Sequence, residues 1–204
     1  RNMPALILKT SQGNFSPPDK HAILKRLRAV YALVGKGKSL PRVYLIHGAL
    51  EDEEMNSLYN HPKVKAHITL TKGEGYGRPL AEVSVTGKPI IASAWSGQLD
   101  FLKHALLVPG QLTQIHHSAA WDQVLIPESS WFTADYQWAA NAMVDVVKNY
   151  KNHLPMAKKQ AKLIQTEFSL EAMNTKLNQI LDENLPIFPK HMEIALPKLK
   201  PIEG

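Results

Sequence analysis

Short, uninterrupted apolar runs alternate with longer segments of helical periodicity through the first hundred residues, and this alternation constrains the fold more than any other feature. Ala5-Leu6-Ile7-Leu8, Val43-Tyr44-Leu45-Ile46, Ala66 to Leu70 and Pro89-Ile90-Ile91-Ala92 are such runs, and Leu106-Leu107-Val108 is a fifth. Runs of this kind read as strands buried on both faces. Between them, Asp19 to Leu33, Glu51 to Asn60 and Pro79 to Thr86 read as helices, the first capped by Asp19 and the third stopped by Gly87. Strands alternating with helices at this spacing build βαβ units. The fold class is therefore α/β, a doubly wound parallel sheet covered by helices on both faces. Asp135 to Lys151 and Ser169 to Glu183 add amphipathic helical segments. Beyond Asn184, Pro186, Pro189, Pro197 and Pro201 break any helix. The expected organisation is one domain over residues 1–184 and a Pro-rich tail over 185–204.

Composition removes several function classes. The chain has 204 residues and no cysteine, which excludes disulfides, thiolate metal sites and cysteine nucleophiles. No run of about 18 apolar residues spans a bilayer, and no secretory leader is visible, so a reducing, cytoplasmic setting is expected. A chain that opens on Arg1 reads as a piece of a longer protein. The net charge is +6, but Lys and Arg are spread along the sequence rather than concentrated in a nucleic-acid motif. An anionic small-molecule ligand accounts for the excess equally well, and no nucleic-acid partner is expected. The helix carrying Lys158, Lys159 and Lys162 reads first as a solvated face. Peripheral contact with an anionic membrane is its functional counterpart.

In an open parallel sheet, ligands sit beyond the carboxyl ends of the strands. The segment after the third run is unusual: Thr71-Lys72-Gly73-Glu74-Gly75-Tyr76-Gly77-Arg78-Pro79-Leu80-Ala81-Glu82. Three glycines allow close approach of a ligand and positive φ. Pro79 suits a first helical turn, and a loop rich in free N–H groups entering a helix makes an anion site. Glu82 lies one turn inside that helix and points back toward its start. A carboxylate there accepts two hydrogen bonds from a vicinal diol such as a ribose. Glu74, on the loop itself, is placed to orient a sugar hydroxyl or support the phosphate region. Taken alone, the same residues also fit an exposed helix start with an acidic first turn.

Glu74, the Gly75-Tyr76-Gly77 loop, Pro79-Leu80, Glu82, Gly87-Lys88-Pro89-Ile90-Ile91-Ala92-Ser93 and Ser96-Gly97-Gln98-Leu99-Asp100 together resemble the donor-site motif of retaining GT-B glycosyltransferases, family 4 in particular. The resemblance is specific from Thr71 to Leu102 and weaker from Val43 to Ala66. It implies a Rossmann-like domain, the C-terminal, donor-binding half of a two-domain enzyme whose N-terminal acceptor-binding domain is absent from this chain. It also implies a hexosyltransferase-like activity that moves a sugar from a nucleoside-diphosphate sugar to an acceptor hydroxyl with retention, without a metal or other cofactor. By resemblance, Glu82 binds the ribose hydroxyls and Glu74, the candidate catalytic residue, lies near the donor sugar. Gly75, Tyr76, Gly77, Arg78, Pro79 and Leu80 line the donor, with backbone N–H groups from Gly77 to Leu80 meeting the diphosphate or sugar. The family places an Arg at the end of its first strand and a Lys soon after. Lys9 and Lys20 stand in for them here, and Lys9 lacks the bidentate fork of an Arg. Lys72 stands where the family has a small residue. A non-catalytic nucleotide-sugar-binding module and a GT-B sugar-nucleotide epimerase are the alternatives.

Other signals are set aside. Gly37-Lys38-Ser39 resembles the end of a P-loop, but Ala32 occupies the position of the required glycine. His116 and His117 are expected to point apart rather than bind a metal. His47-Gly48 either bounds the base or turns the loop. Trp121, Trp131, Phe132, Tyr136 and Trp138 are expected to pack in the core or against the absent domain.

Overall fold

The computed structural model describes residues 4–11, 13, 15–37 and 39–186. Parallel strands β1 (Leu6–Lys9) and β2 (Val43–Ile46) flank helix α1 (Pro17–Val34). Helix α2 (Asp52–Asn60) leads to β3 (His67–Thr69), α3 (Arg78–Ser84), β4 (Ile90–Ser93) and β5 (Leu106–Val108). An antiparallel hairpin of β6 (Gly110–Gln114) and β7 (Ser130–Ala134) follows, then helices α4 (Tyr136–Lys148), α5 (Tyr150–Glu167) and α6 (Leu170–Asn184). The fold is α/β with parallel strand pairing, as the alternation requires.

The parallel strands form two ladders. One pairs β1 with β2 in register Leu6↔Val43 to Lys9↔Ile46, and the other runs in the order β3-β4-β5. Burial differs sharply between them. β4 is buried throughout, and its side chains alternate between two cores. Ile90 and Ala92 join Leu80, Val83, Phe101, Leu102 and Ile164 under α3 and α5. Ile91 joins Val108, Phe132, Ala134, Ala139, Ala142 and Val146 under α4 and the hairpin. Each large apolar side chain so buried contributes about 1.5–3 kcal/mol. Leu6, Ile7 and Tyr44, by contrast, remain about half exposed. The doubly buried reading of the first two runs is thus corrected: no described layer covers both faces of β1 and β2.

Other boundaries also shift. Ser16, not Asp19, caps α1, accepting from the Asp19 N–H, with Pro17 and Pro18 in the first turn. This placement suits residues that have no N–H to offer. The helix expected over Asp135 to Lys151 ends at Lys148, and α5 starts at Tyr150. The hairpin was not anticipated, because β6 (Gly-Gln-Leu-Thr-Gln) carries a single apolar side chain. Of the expected tail, only Leu185 and Pro186 lie within the described residues.

Gln160 ties α5 to the segment after β4. Its side chain is buried, donates to the Phe101 carbonyl at 2.8 Å and accepts from the His104 N–H at 2.8 Å. Replacing Gln160 with Leu keeps the volume and strands both backbone groups. The expected loss is about 2–4 kcal/mol of stability, measured by urea unfolding, whereas Lys158→Ala on the exposed side of α5 is near neutral.

Candidate functional site

The site is built by two loops at the carboxyl ends of β3 and β4. The first carries Thr71 to Gly77, the second Ala94 to Gly97. Ser93 Oγ donates to the Thr71 carbonyl at 2.8 Å. Ser96 Oγ accepts from the Glu74 N–H at 3.1 Å and donates to the Glu74 carbonyl at 2.5 Å. The Gly97 N–H donates to the same carbonyl at 3.2 Å. Ser96 holds φ +75° and ψ −168°, a region nearly reserved for glycine that costs about 1–3 kcal/mol. Gly97 is needed for a different reason: a Cβ there would lie 1.9 Å from the Gly75 carbonyl oxygen. Both backbone polar groups of Glu74 are thus committed to the lock, and its carboxylate is the part left to act.

Gly77 takes φ +89° as the N-cap of α3, buried where a Cβ would approach Gln98 Cβ to 3.1 Å. The helix begins at Arg78, one residue before the expected start, and Pro79 sits in its first turn. Leu80 belongs to the core, and its N–H donates to the Gly77 carbonyl at 2.9 Å. Since Pro79 has no N–H, the expected row of donors from Gly77 to Leu80 is corrected to two, those of Gly77 and Arg78. Tyr76 is about half exposed, with its ring 5.0 Å from that of Phe101. Gly75 is exposed.

Arg78 and Glu82, both expected to face a ligand, are paired with each other. Arg78 Nε donates to Glu82 Oε1 at 2.5 Å, and its Nη2 lies 3.7 Å from Asp52 Oδ1 on α2. The hydrogen bond to Glu82, then the charges of Glu82 and Asp52, hold the guanidinium pKa above its ordinary value. The contact engages only one carboxylate oxygen of Glu82. Tyr59, on α2, completes this side. Burial raises its phenol pKa, and the negative charge of Glu82 raises it further. Lys88 holds the end of α2 against this wall by donating to the carbonyls of Tyr59 and His61. Burial, then the charge of Lys65, lowers the ammonium pKa of Lys88.

The two expected phosphate cations lie on the other ladder. Lys9 is exposed at the carboxyl end of β1. Lys20 is exposed in the first turn of α1, lining an open concavity of about 610 Å³ with Phe15, His21 and His47. His47 Nε2 meets Asp19 Oδ2 at 2.8 Å, both side chains almost fully buried, so His47 fastens the start of α1 to the end of β2. Lys72 caps the ring of Trp131, with Nζ 3.5 Å from its centroid. The rings of His116 and His117 do not point apart as expected but lie 4.1 Å apart. Their loop is neither a strand nor a longer helix but a single 3₁₀ turn. Lys158, Lys159 and Lys162 are exposed on α5, and no described helix is long and apolar enough to cross a membrane.

Sucrose-phosphate synthase from Thermosynechococcus elongatus superposes with a TM-score of 0.58 at 20% identity, covering 87% of this chain and 38% of that one. HepE from Anabaena, solved in complex with UDP and glucose, gives 0.59 at 14% identity over 88% of this chain and 40% of that one. HepE solved with UDP-glucose gives 0.59 at 14% identity over 88% and 41%. The fold is that of the C-terminal half of a GT-B glycosyltransferase. The chain spans about two fifths of the length of the solved structures it matches. No family model and no curated protein sequence matches it.

The glycines of the GT-B half separate cleanly by role, which yields a test. Gly97→Ala forces backbone apart and is expected to cost about 2–3 kcal/mol. Gly73→Ala and Gly75→Ala meet nothing within 4 Å, and each is expected to stay within about 0.5 kcal/mol of wild type. Thermal unfolding of the three variants checks the order.

Proposed function

We propose that this chain is the nucleotide-sugar-binding half of a retaining glycosyltransferase resembling family 4. In this reading it binds a nucleoside-diphosphate sugar for transfer of a hexose to an acceptor hydroxyl, with the acceptor supplied by an N-terminal domain that this chain lacks. The observation that carries the reading is the pair Glu74 and Glu82, presented beside the carboxyl edge of β3-β4-β5 on a loop hydrogen-bonded to the strained Ser96 and on the short helix that follows that loop. Strain maintained by surrounding structure concentrates at functional sites. The GT-B half-fold, and relatives of that fold solved with UDP and UDP-glucose, add support.

In this reading Glu82 accepts from the two ribose hydroxyls through the oxygen that Arg78 leaves open, then through both as Arg78 turns toward the phosphates. The N–H groups of Gly77 and Arg78, the Arg78 guanidinium, and Lys9 and Lys20 from the other ladder offset the charge that builds on the departing diphosphate. Glu74, its backbone held by Ser96 and Gly97, orients a hydroxyl of the transferred sugar. No metal ion is required, because cationic side chains and N–H dipoles supply the charge stabilisation. The protein's contribution is position and electrostatics rather than covalent chemistry.

The test is calorimetric titration of the chain with UDP, GDP and ADP, repeated on Glu82→Gln. One diphosphate is expected to bind, and the variant to bind it at least about tenfold more weakly, as loss of charge-assisted hydrogen bonds implies. Equal binding by the variant overturns the ribose role. In a chain that carries the acceptor domain as well, Glu74→Gln is expected to lower transfer by about 10²-fold while leaving diphosphate affinity within twofold.

A further inference from the structure

We propose that Trp95 is a stacking platform for the hexose of the donor. The proposal rests on the nucleotide-sugar reading of the Glu74 loop and adds to it the surface that selects the sugar. Trp95 lies between β4 and Ser96, inside the loop that is locked to Glu74. One face of its indole stacks on Phe132, with centroids 5.7 Å apart and planes within 3° of parallel. Phe132 is itself a core residue, 4% exposed. Trp95 nevertheless remains 39% exposed. At this separation the stack is offset and engages one side of the indole, so the exposed part of the ring lies away from Phe132. The indole is therefore held by the core on one side and offered on the other, with its position set by the same lock that sets Glu74.

The direction of the ligand favours a sugar over a base on this face. Glu82, Arg78, Asp52 and Tyr59 gather where α3 meets α2, and this is the diol end of the proposed site. Trp95 stacks on the hairpin and directly precedes the Ser96 that bonds to the Glu74 backbone, the end of the site where the hexose lies in that reading. A pyranose carries an apolar face of polarised C–H groups, which complements the electron-rich face of an indole. Polar groups that fix orientation beside an aromatic wall are the usual make-up of a small-molecule site. Trp121, on the loop between β6 and β7, and Tyr136, at the start of α4, are exposed as well but lack this connection.

Paired titrations test the platform, using the nucleoside diphosphate that binds and its glucose conjugate (UDP and UDP-glucose, or the guanine or adenine pair). Wild type is expected to bind the conjugate more tightly than the diphosphate. Trp95→Ala is expected to weaken the conjugate by roughly five- to tenfold and the diphosphate by less than twofold, and Trp95→Phe to retain most of the difference. Indole fluorescence of the wild type should change further with the conjugate than with the diphosphate, and that increment should vanish in Trp95→Phe. The fluorescence arm does not depend on the alanine variant folding. A conjugate that binds wild type no better than the diphosphate overturns the platform and leaves the diphosphate site standing. So does a Trp95→Ala variant that weakens both ligands alike or neither. Failure of every diphosphate to bind, or indifference to Glu82→Gln, removes the underlying reading and the platform with it.

Discussion

Ser96 adopts a backbone conformation that residues with a side chain avoid, and its hydroxyl bonds to both backbone groups of Glu74. Those two hydrogen bonds, with the Gly97 N–H on the same carbonyl, oppose a local strain of about 1–3 kcal/mol. The close approach of Gly97 to the Gly75 carbonyl leaves no room for a side chain, so the loops after β3 and β4 meet backbone to backbone. The candidate catalytic carboxylate, the glycine turn that starts α3 and the exposed face of Trp95 all take their positions from this interlock. Beneath it, β4 supplies the rigid base by sending Ile90 and Ala92 into one core and Ile91 into the other.

The electrostatics of the site follow from which partners burial brings together. Arg78 is exposed, and its pairing with Glu82 and Asp52 is screened by water, so the contact is weak enough to exchange for a ligand. Tyr59 and Lys88, more sheltered, do the opposite work: they fix the end of α2 against the same wall. The result is an exposed cation beside a partly sheltered carboxylate at one end of α3. The buried His47–Asp19 contact plays the corresponding structural part on the first ladder, where it anchors the α1 start that carries Lys20.

Much of this arrangement was legible in the order of residues. The apolar runs located all five parallel strands, and the spacing of Glu74, the glycines and Glu82 located the loop that the fold presents at its carboxyl edge. The hairpin was not legible, because an edge ribbon whose Gly110, Gln111, Leu112 and Gln114 are exposed has no apolar alternation to betray it. Nor was the exposure of β1 and β2, since an apolar run reports that a strand is apolar and not whether a covering layer exists.

The sequence by itself determined the fold class and the chemistry of the loop. Both are properties of local pattern: the period of apolar residues, the freedom of glycine, and the type and spacing of charged groups. Only the tertiary structure decided which of those groups are available. It set Asp52 of α2 beside Arg78, turned Lys72 onto Trp131 and placed Trp95 flat against Phe132. Each of these depends on contacts between segments distant in the chain, and such contacts form only when the two cores close around β4.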